Sequence, residues 1–166
     1  LGIATTPLVA YGERGMNPAK IQSFILTEDL GDIISLEDLC ADWKESPPAP
    51  RFKRQLIIAA AKVAKTIHNA GVNHRDFYLC HLCLDKSDIG SEPAVGNAQP
   101  DIRLYLIDLH RVLIHQAPSE TANMKDIAAL YFSSMDVGFT ERDYLRFKRH
   151  YQQKSAQFWQ RVDSRA

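Results

Sequence analysis

Two isolated acids, separated by two apolar runs and a turn-rich segment, constrain the fold of this chain more than any other feature. The first acid, Asp76, lies in a polar stretch, and the second, Asp108, follows the apolar run 104–107. The other run, 79–84, begins just after Asp76, and Gly and Pro residues punctuate the segment 87–100. Short apolar runs bounded by such residues predict two strands joined as a hairpin, with a carboxylate at either end.

This arrangement suits phosphoryl transfer, in which one acid accepts the proton of a hydroxyl and another holds Mg²⁺ against nucleotide phosphates. Asp76 is flanked by His74 and Arg75, and the adjacent arginine would keep its carboxylate ionised by Coulomb attraction. An acid that ends a buried strand is costly unless a cation binds it, so Asp108 is the expected metal ligand. The alternative for Asp108 is a capping or turn aspartate.

The sequence also predicts roles for three other polar residues, His81, His110 and Asp126. His81 lies five residues after Asp76, where protein kinases usually place an Asn as a second Mg²⁺ ligand. Because Mg²⁺ prefers oxygen, His81 is expected to position the substrate or to support Asp108. His110 is expected to make a structural hydrogen bond to the catalytic loop. Asp126 is either a helix-dipole residue or an anchor for that loop.

Composition limits the classes of function. The 166 residues, of which 45% are hydrophobic, suit one domain or one and a fraction. The net charge is zero, so no overall field favours nucleic acid. Residues 28–45 contain seven acids and one lysine, whereas residues 141–165 contain seven Lys or Arg and three acids. The basic segment could face an anionic substrate or membrane surface, or be a solvated helix face.

Cysteine usage and hydropathy bear on location. Three cysteines, Cys40, Cys80 and Cys83, give no disulfide framework, which favours a reducing cytoplasm. No run approaches the roughly 18 apolar residues of a membrane span. Because the chain opens with Leu1 rather than Met, we expect it to be a piece of a longer protein.

The hydrophobic periodicity predicts an opening strand pair followed by a mainly helical body. The clearest helix covers 51–69 and is stopped by Gly71, and Ser35 with Asp38 predicts a capped helix start. The predicted strands cover 8–11, 23–27, 79–84 and 103–107, and the predicted helices cover 35–44, 51–69, 119–135, a segment from Thr140 onward and 153–162.

Several segments resemble the lipopolysaccharide kinase (Kdo/WaaP) family. They are Asn-His-Arg-Asp-Phe-Tyr-Leu-Cys-His at 73–81, Leu-Ile-Asp-Leu-His-Arg at 106–111 and Asp-Ile-Ala-Ala-Leu-Tyr-Phe at 126–132. Thr-Glu-Asp-Leu at 27–30 matches the hinge of the family. The Phe-Tyr-x-Cys-His continuation, and Asp-Leu-His in place of Asp-Phe-Gly, are more specific than the bare His-Arg-Asp. The resemblance spans most of residues 5–135.

The resemblance implies an α+β, protein-kinase-like fold, mostly the helical C-lobe with a remnant of the N-lobe sheet and hinge. Residues 1–30 would end the N-lobe and form the hinge strand, and residues 31–166 would form the C-lobe with a catalytic hairpin over 74–111. The implied activity is ATP- and Mg²⁺-dependent phosphorylation of a sugar hydroxyl, on heptose I of the lipopolysaccharide inner core. The implied location is the cytoplasm of a Gram-negative bacterium, with peripheral contact to the inner membrane.

The same resemblance assigns roles to individual residues. Asp76 would be the catalytic base, with Arg75 and His74 beside it in the catalytic loop, and Asp108 would bind the metal. The residues expected to bind the nucleotide cofactor are Glu28, Asp29, Leu30 and His81.

One departure from the family pattern matters. A complete kinase has a glycine-rich loop and a strand lysine ahead of the hinge. Only about twenty residues precede the hinge strand here, and none forms Gly-x-Gly-x-x-Gly. The chain alone is therefore expected to show little ATP turnover. Two alternatives stay open: a same-fold kinase for another acceptor (Kdo, a small alcohol or a protein tyrosine), or a non-catalytic module that binds lipid or a partner.

Overall fold

The computed structural model describes residues 1–89, 102–152 and 154–166 of the chain. Its strands are β1 (Leu8–Arg14), β2 (Gln22–Thr27), β3 (Ile33–Ser35), β4 (Val72–Asn73), β5 (Leu82–Asp85), β6 (Leu104–Leu106) and β7 (Leu113–Ile114). Its helices are α1 (Leu36–Cys40), α2 (Pro50–Asn69), α3 (Glu120–Ser134), α4 (Glu141–Tyr151) and α5 (Ala156–Arg165). The architecture is α+β, as predicted.

The described residues form three small antiparallel sheets. β1 and β2 form a hairpin of their own, with Tyr11 opposite Ile25. β3, β5 and β6 form a second sheet in which Leu84 of β5 lies opposite Ile34 on one side and Leu104 on the other. β5 begins directly after His81, and β6 ends two residues before Asp108. This second sheet therefore positions the candidate site. β4 and β7 form the third sheet.

Helix α2 forms the centre of the hydrophobic core. Pro50 occupies its first turn, where no backbone N–H partner is required. Leu56, Ala60 and Ile67 recur on one face and are buried, and burial of a leucine of this size contributes about 2 kcal/mol. The helix ends before Gly71, which has a left-handed φ of 73°. The periodicity and the stop predicted from the sequence are confirmed.

Helix α4 runs alongside α2. Thr140 and Asp143 cap its start reciprocally, as a Thr at the N-cap position predicts. The Lys53 ammonium of α2 lies 2.8 Å from the Asp143 carboxylate, which joins the first turns of the two helices. Their last turns meet where His68 contacts Tyr151. Helix α5 packs against α3.

Some predicted boundaries were wrong. The predicted strand 79–84 is a 3-10 turn over Leu79–His81 followed by β5, because pairing with β3 and β6 begins only at Leu82 and Cys83. The last helix covers Ala156–Arg165 rather than 153–162, because the Ser155 hydroxyl accepts a hydrogen bond from the Phe158 amide and caps it there.

Three short strands were not predicted from the sequence, and one predicted loop lies mostly outside the residues that the structure describes. β3, β4 and β7 were not predicted, since two or three residues are too short to show a hydrophobic period. Most of the predicted loop 87–100 lies outside the described residues. Within the part of the chain that the structure describes, no helix is long and apolar enough to cross a bilayer.

Candidate active site

The two predicted acids lie on either side of one histidine ring. The Nδ1 of His81 is 2.6 Å from the main-chain oxygen of Asp76, and its Nε2 is 3.3 Å from the Oδ2 of Asp108. Because a carbonyl oxygen can only accept, Nδ1 carries the hydrogen of this bond. The structure thus brings Asp76, His81 and Asp108 together.

The second ring nitrogen of His81 faces a carboxylate. In the charged ring, Nε2 donates a hydrogen bond to Asp108, whereas in the neutral ring a lone pair points toward it. His81 therefore lies beside Asp108, as one of the two expectations for it requires.

Asp108 has the features of an ionised, accessible ligand. Its backbone is left-handed, with φ 60° and ψ 55°, which turns the following residues back toward its own side chain. The hydrogen bond from His110 Nδ1 outweighs slight burial and lowers the pKa of Asp108, and the charges of His110 and His81 act in the same direction. The expectation that His110 bonds the catalytic loop was wrong, because this local turn pairs it with Asp108 instead.

Asp76 is held by an arginine that sequence reasoning missed. The Nη1 of Arg111 lies 2.7 Å from the Oδ1 of Asp76, with the guanidinium half exposed and the carboxylate 16% exposed. The cation expected to perform this role, Arg75, contributes its backbone to the site, and its side chain is exposed. The only sequence signal for Arg111 is its position immediately after His110 in the motif around Asp108.

The buried carboxylate of Asp126 anchors the loop before Asp76. It accepts hydrogen bonds at 2.9 Å from the amides of His74 and Arg75, at 3.2 Å from the Asn73 side chain and at 3.1 Å from His68. Burial alone would raise the pKa of Asp126, but these hydrogen bonds outweigh burial and lower it. The anchor alternative for Asp126 is confirmed.

The anchor stabilises an unusual backbone conformation. Arg75 has a φ of 72°, a left-handed conformation that costs a non-glycine residue about 1–2 kcal/mol. The hydrogen bond from its amide to Asp126 offsets that cost. His74 donates from Nε2 to the Ile107 carbonyl at 2.9 Å, which joins the loop to the end of β6 beside Asp108. His74 is thus placed as a positioning residue.

The predicted hinge residues lie apart from this cluster. Glu28, Asp29 and Leu30 connect β2 to β3, and the Asp29 side chain accepts from the Gly31 amide at 3.0 Å. The next acid along the chain, Asp32, is paired with Lys86 at the far end of β5. Since four strand residues span about 13 Å, the hinge is roughly one strand length from His81.

The donors at the site fit a nucleotide-bound metal better than a resident one. No group of three or more His, Cys, Asp or Glu residues in the described ranges is arranged to hold an ion. Mg²⁺ on a nucleotide usually takes one or two carboxylates and completes its shell with phosphate oxygens and water. An ionised Asp108 with an accessible side chain matches that requirement.

A separate cavity of about 450 Å³ lies between α2, α3, α4 and α5. Its walls include Leu56, Ile127, Tyr131 and Phe147, and neither Asp76 nor Asp108 lines it. It is therefore distinct from the carboxylate cluster.

Comparison with known proteins gives the same family as the sequence motifs. A family model described as the lipopolysaccharide kinase (Kdo/WaaP) family matches residues 1–151. A lipopolysaccharide core heptose(I) kinase WaaP from Pseudomonas aeruginosa is 48% identical over 150 residues, which are 90% of this chain and 53% of that protein. The protein of that name from Escherichia coli K12 is 43% identical over 151 residues, or 91% of this chain and 54% of that protein.

A solved structure supports the match at the level of fold. A structure titled "WaaP in complex with acyl carrier protein" has a TM-score of 0.81 and 41% identity, covering 99% of this chain and 70% of that one. The chain spans about half the length of the curated relatives that it matches. Its fold is therefore kinase-like, and the chain belongs to the lipopolysaccharide kinase (Kdo/WaaP) family.

Proposed function

We propose that this chain carries the catalytic lobe of an ATP-dependent kinase that phosphorylates heptose I of the lipopolysaccharide inner core. The observation that carries the proposal is that His81, in a chain of this family, bonds the main-chain oxygen of Asp76 and lies beside the carboxylate of Asp108. Relatives that bear the name heptose(I) kinase at 48% and 43% identity support a heptose acceptor.

In this proposal the chain divides at the hinge. Residues 1–30 close the N-lobe and include the hinge strand, and residues 31–166 form the C-lobe with the catalytic hairpin over 74–111. The exposed hairpin of β1 and β2, and the burial of α2 among the other helices, support the division.

Asp76 acts as the general base in the proposed mechanism. Arg111 engages its Oδ1, which leaves Oδ2 to accept the proton of the sugar hydroxyl. Asp126 fixes the backbone of His74 and Arg75, so the carboxylate is held in place before the acceptor arrives. These residues orient the base and supply no covalent step.

Asp108 would hold Mg²⁺, and His81 would keep the carboxylate oriented through its bond to the Asp76 carbonyl. When bound, ATP with Mg²⁺ supplies the phosphoryl group and neutralises its developing charge. Backbone groups of Glu28, Asp29 and Leu30 would contact adenine. Their position between β2 and β3, outside regular structure, supports this role.

Substitution Asp76→Ala in the native enzyme tests the proposal. We expect phosphate transfer from ATP to a heptose-containing core to fall at least about a hundredfold, the usual contribution of a general base. Asp136→Ala is the control, because that carboxylate is 98% exposed. Circular dichroism of both variants should match wild type. Full transfer by Asp76→Ala would overturn the assignment.

Acceptor profiling separates the kinase alternatives. Comparing heptose-containing core with Kdo, small alcohols and tyrosine peptides should show the highest kcat/KM for the core. A higher kcat/KM for another acceptor would favour a kinase of the same fold that acts on that acceptor. If ATP with Mg²⁺ produced no thermal shift in the native enzyme, the non-catalytic module would be favoured instead.

A basic face on α2 and α4 supports peripheral contact with an anionic membrane. Helix α2 carries five Lys or Arg and no acid. Burial, followed by the charges of Arg149, Lys62, Arg146 and Lys65, lowers the pKa of His150, and α2 packs against α4. Cations at an anionic lipid surface contribute about 1 kcal/mol each. We propose that this basic face contacts the cytoplasmic face of the inner membrane.

Vesicle sedimentation tests the contact. Vesicles that contain phosphatidylglycerol should bind the protein, and added salt or the double substitution Lys65→Glu with Arg149→Glu should release it. Lys44→Glu is the control, since Lys44 lies in the acidic segment. Binding to neutral phosphatidylcholine vesicles of equal strength would contradict an electrostatic contact.

Acyl carrier protein is a further proposed partner. The similar solved structure is titled as a complex of WaaP with acyl carrier protein, and it covers 99% of this chain. We propose that this chain binds acyl carrier protein as well. Isothermal titration of the two proteins should show saturable binding, and its absence at high concentration would contradict the proposal.

A further inference from the structure

A buried chain of hydrogen bonds links the end of α4 to the catalytic loop. Tyr151, the last residue of α4, and His68 of α2 are both 0% exposed. The Tyr151 hydroxyl oxygen lies 2.7 Å from the Nδ1 of His68, and the Nε2 of His68 lies 3.1 Å from the Oδ2 of Asp126. We call Tyr151, His68 and Asp126 the buried triad.

The protonation states within the buried triad follow from its chemistry. Burial raises the pKa of Tyr151, and the negative charges of Asp126 and Glu120 add to the effect, so the hydroxyl keeps its hydrogen. Asp126 is an ionised acceptor, so Nε2 of His68 must donate to it. In a ring that carries one hydrogen, Nδ1 then has the lone pair and accepts from the Tyr151 hydroxyl. One tautomer of His68 satisfies both partners.

The far end of the buried triad reaches the proposed base. Asp126 accepts from the amides of His74 and Arg75, and Arg75 is the left-handed residue directly before Asp76. A change in the orientation of the Asp126 carboxylate would therefore alter the backbone that places Asp76.

We propose that the Tyr151 hydroxyl is a positioning group for the catalytic loop, because its hydrogen bond to Nδ1 holds the His68 ring in the orientation in which Nε2–H meets the Asp126 carboxylate. The catalytic consequence rests on the proposed function, but the effect on the loop does not.

Packing alone does not account for a tyrosine at this position. The ring of Tyr151 lies 5.9 Å from that of Phe147 and 6.4 Å from that of Phe158, centroid to centroid, and both pairs are stacked. A phenylalanine ring would make the same stacks. The hydroxyl has its polar contact with His68, so Tyr151→Phe removes that contact and little else.

A matched control exists on the same helix. Tyr144 also donates its hydroxyl to a neighbour, the Asp163 carboxylate at 2.6 Å, but that carboxylate belongs to α5 near the surface. Tyr144→Phe therefore removes one tyrosine hydrogen bond from α4 without touching the buried triad.

Nuclear magnetic resonance on the protein provides the test. In wild type, ¹⁵N shifts of the His68 ring should report hydrogen at Nε2 and a lone pair at Nδ1. In Tyr151→Phe the ¹⁵N shift of Nδ1 should move, because the donor to its lone pair is lost. The Arg75 amide should exchange with solvent about tenfold faster, the factor expected for the net loss of one hydrogen bond. Tyr144→Phe should leave both observations at their wild-type values.

The outcomes are separable. A wild-type His68 with hydrogen at Nδ1, or on both nitrogens, overturns the proposal without any variant, even if Tyr151→Phe fails to fold. An unchanged Arg75 amide in a folded Tyr151→Phe also overturns it. In the native enzyme, Tyr151→Phe should lower kcat and leave the KM for ATP unchanged. If wild type transfers no phosphate, the proposed function fails, while the NMR result still decides the role of Tyr151.

Discussion

The contact between Arg111 and Asp76 is the single-residue feature with the most direct chemical consequence. An arginine on Oδ1 fixes the carboxylate and presents Oδ2 to an acceptor. The sequence pointed to Asp76 and Asp108 because each acid stands alone beside an apolar run. Arg111 and Tyr151 could not be found that way, since their partners lie 35 and 83 residues away along the chain.

Arg111→Met should lower kcat by about tenfold to a hundredfold, because Asp76, the proposed base, would lose its fixed orientation. The KM for ATP should change little. Added guanidinium should restore part of the rate, and Arg142→Met, which removes an exposed arginine of α4, should have no effect. Undiminished kcat in Arg111→Met would show that Asp76 needs no arginine.

Asp126 should make stability depend on pH. Its folded-state pKa lies below the ordinary value of 3.8, so the unfolded chain binds the proton more readily. The stabilisation is complete above that ordinary value and is lost as the pH falls through the folded-state pKa. Asp126→Asn should therefore cost about 2–3 kcal/mol at neutral pH, since bonds to a charged group are lost.

Urea unfolding of wild type and Asp126→Asn at pH 7 and at pH 3 measures this difference. The gap in unfolding free energy should narrow at the lower pH. A gap that stays constant would mean that the charge of Asp126 does not contribute.

Among the elements, α2 could be predicted and the small strands could not. Twenty residues of helical periodicity with a glycine stop carry a strong local signal. β4 and β7 exist because the segments around Gly71 and His115 meet, with the His115 amide donating to the Gly71 carbonyl at 2.8 Å. That meeting depends on the packing of the whole chain and leaves no local pattern.

Gly71→Ala should destabilise the protein more than Gly31→Ala. Both glycines have left-handed φ values, 73° and 77°, so both substitutions cost about 1–2 kcal/mol in backbone strain. A Cβ on Gly71 would also lie 2.8 Å from the His115 carbonyl oxygen, whereas one on Gly31 would meet nothing within 4 Å. Urea unfolding of the two variants measures the effect of this clash. Equal losses of unfolding free energy in the two variants would contradict it.

At the scale of the whole molecule, the chain combines a buried helical body with an exposed hairpin. Tyr11, Phe24 and Ile25 are 74%, 62% and 71% exposed. A two-stranded sheet is marginally stable by itself, so amides of β1 and β2 should exchange faster than those of β5. Hydrogen exchange followed by mass spectrometry measures this, and slower exchange in the hairpin would be inconsistent with the exposure.

ATP turnover by these 166 residues alone should be slow. The sequence contains no Gly-x-Gly-x-x-Gly motif to cover the phosphates, although both carboxylates are present. A coupled ATPase assay should give a rate far below that of the native enzyme. Comparable rates would show that these 166 residues suffice.

The most direct measurement of the central claim is a Mg²⁺ titration of phosphate transfer by the native enzyme, Asp76→Asn and Asp108→Asn. If Asp76 is the base and Asp108 the metal ligand, Asp108→Asn raises the Mg²⁺ concentration needed for half-maximal rate. Asp76→Asn then lowers the rate at every concentration and leaves the midpoint unchanged. An unchanged midpoint in Asp108→Asn, or a shifted one in Asp76→Asn, would contradict the division of roles between the two carboxylates.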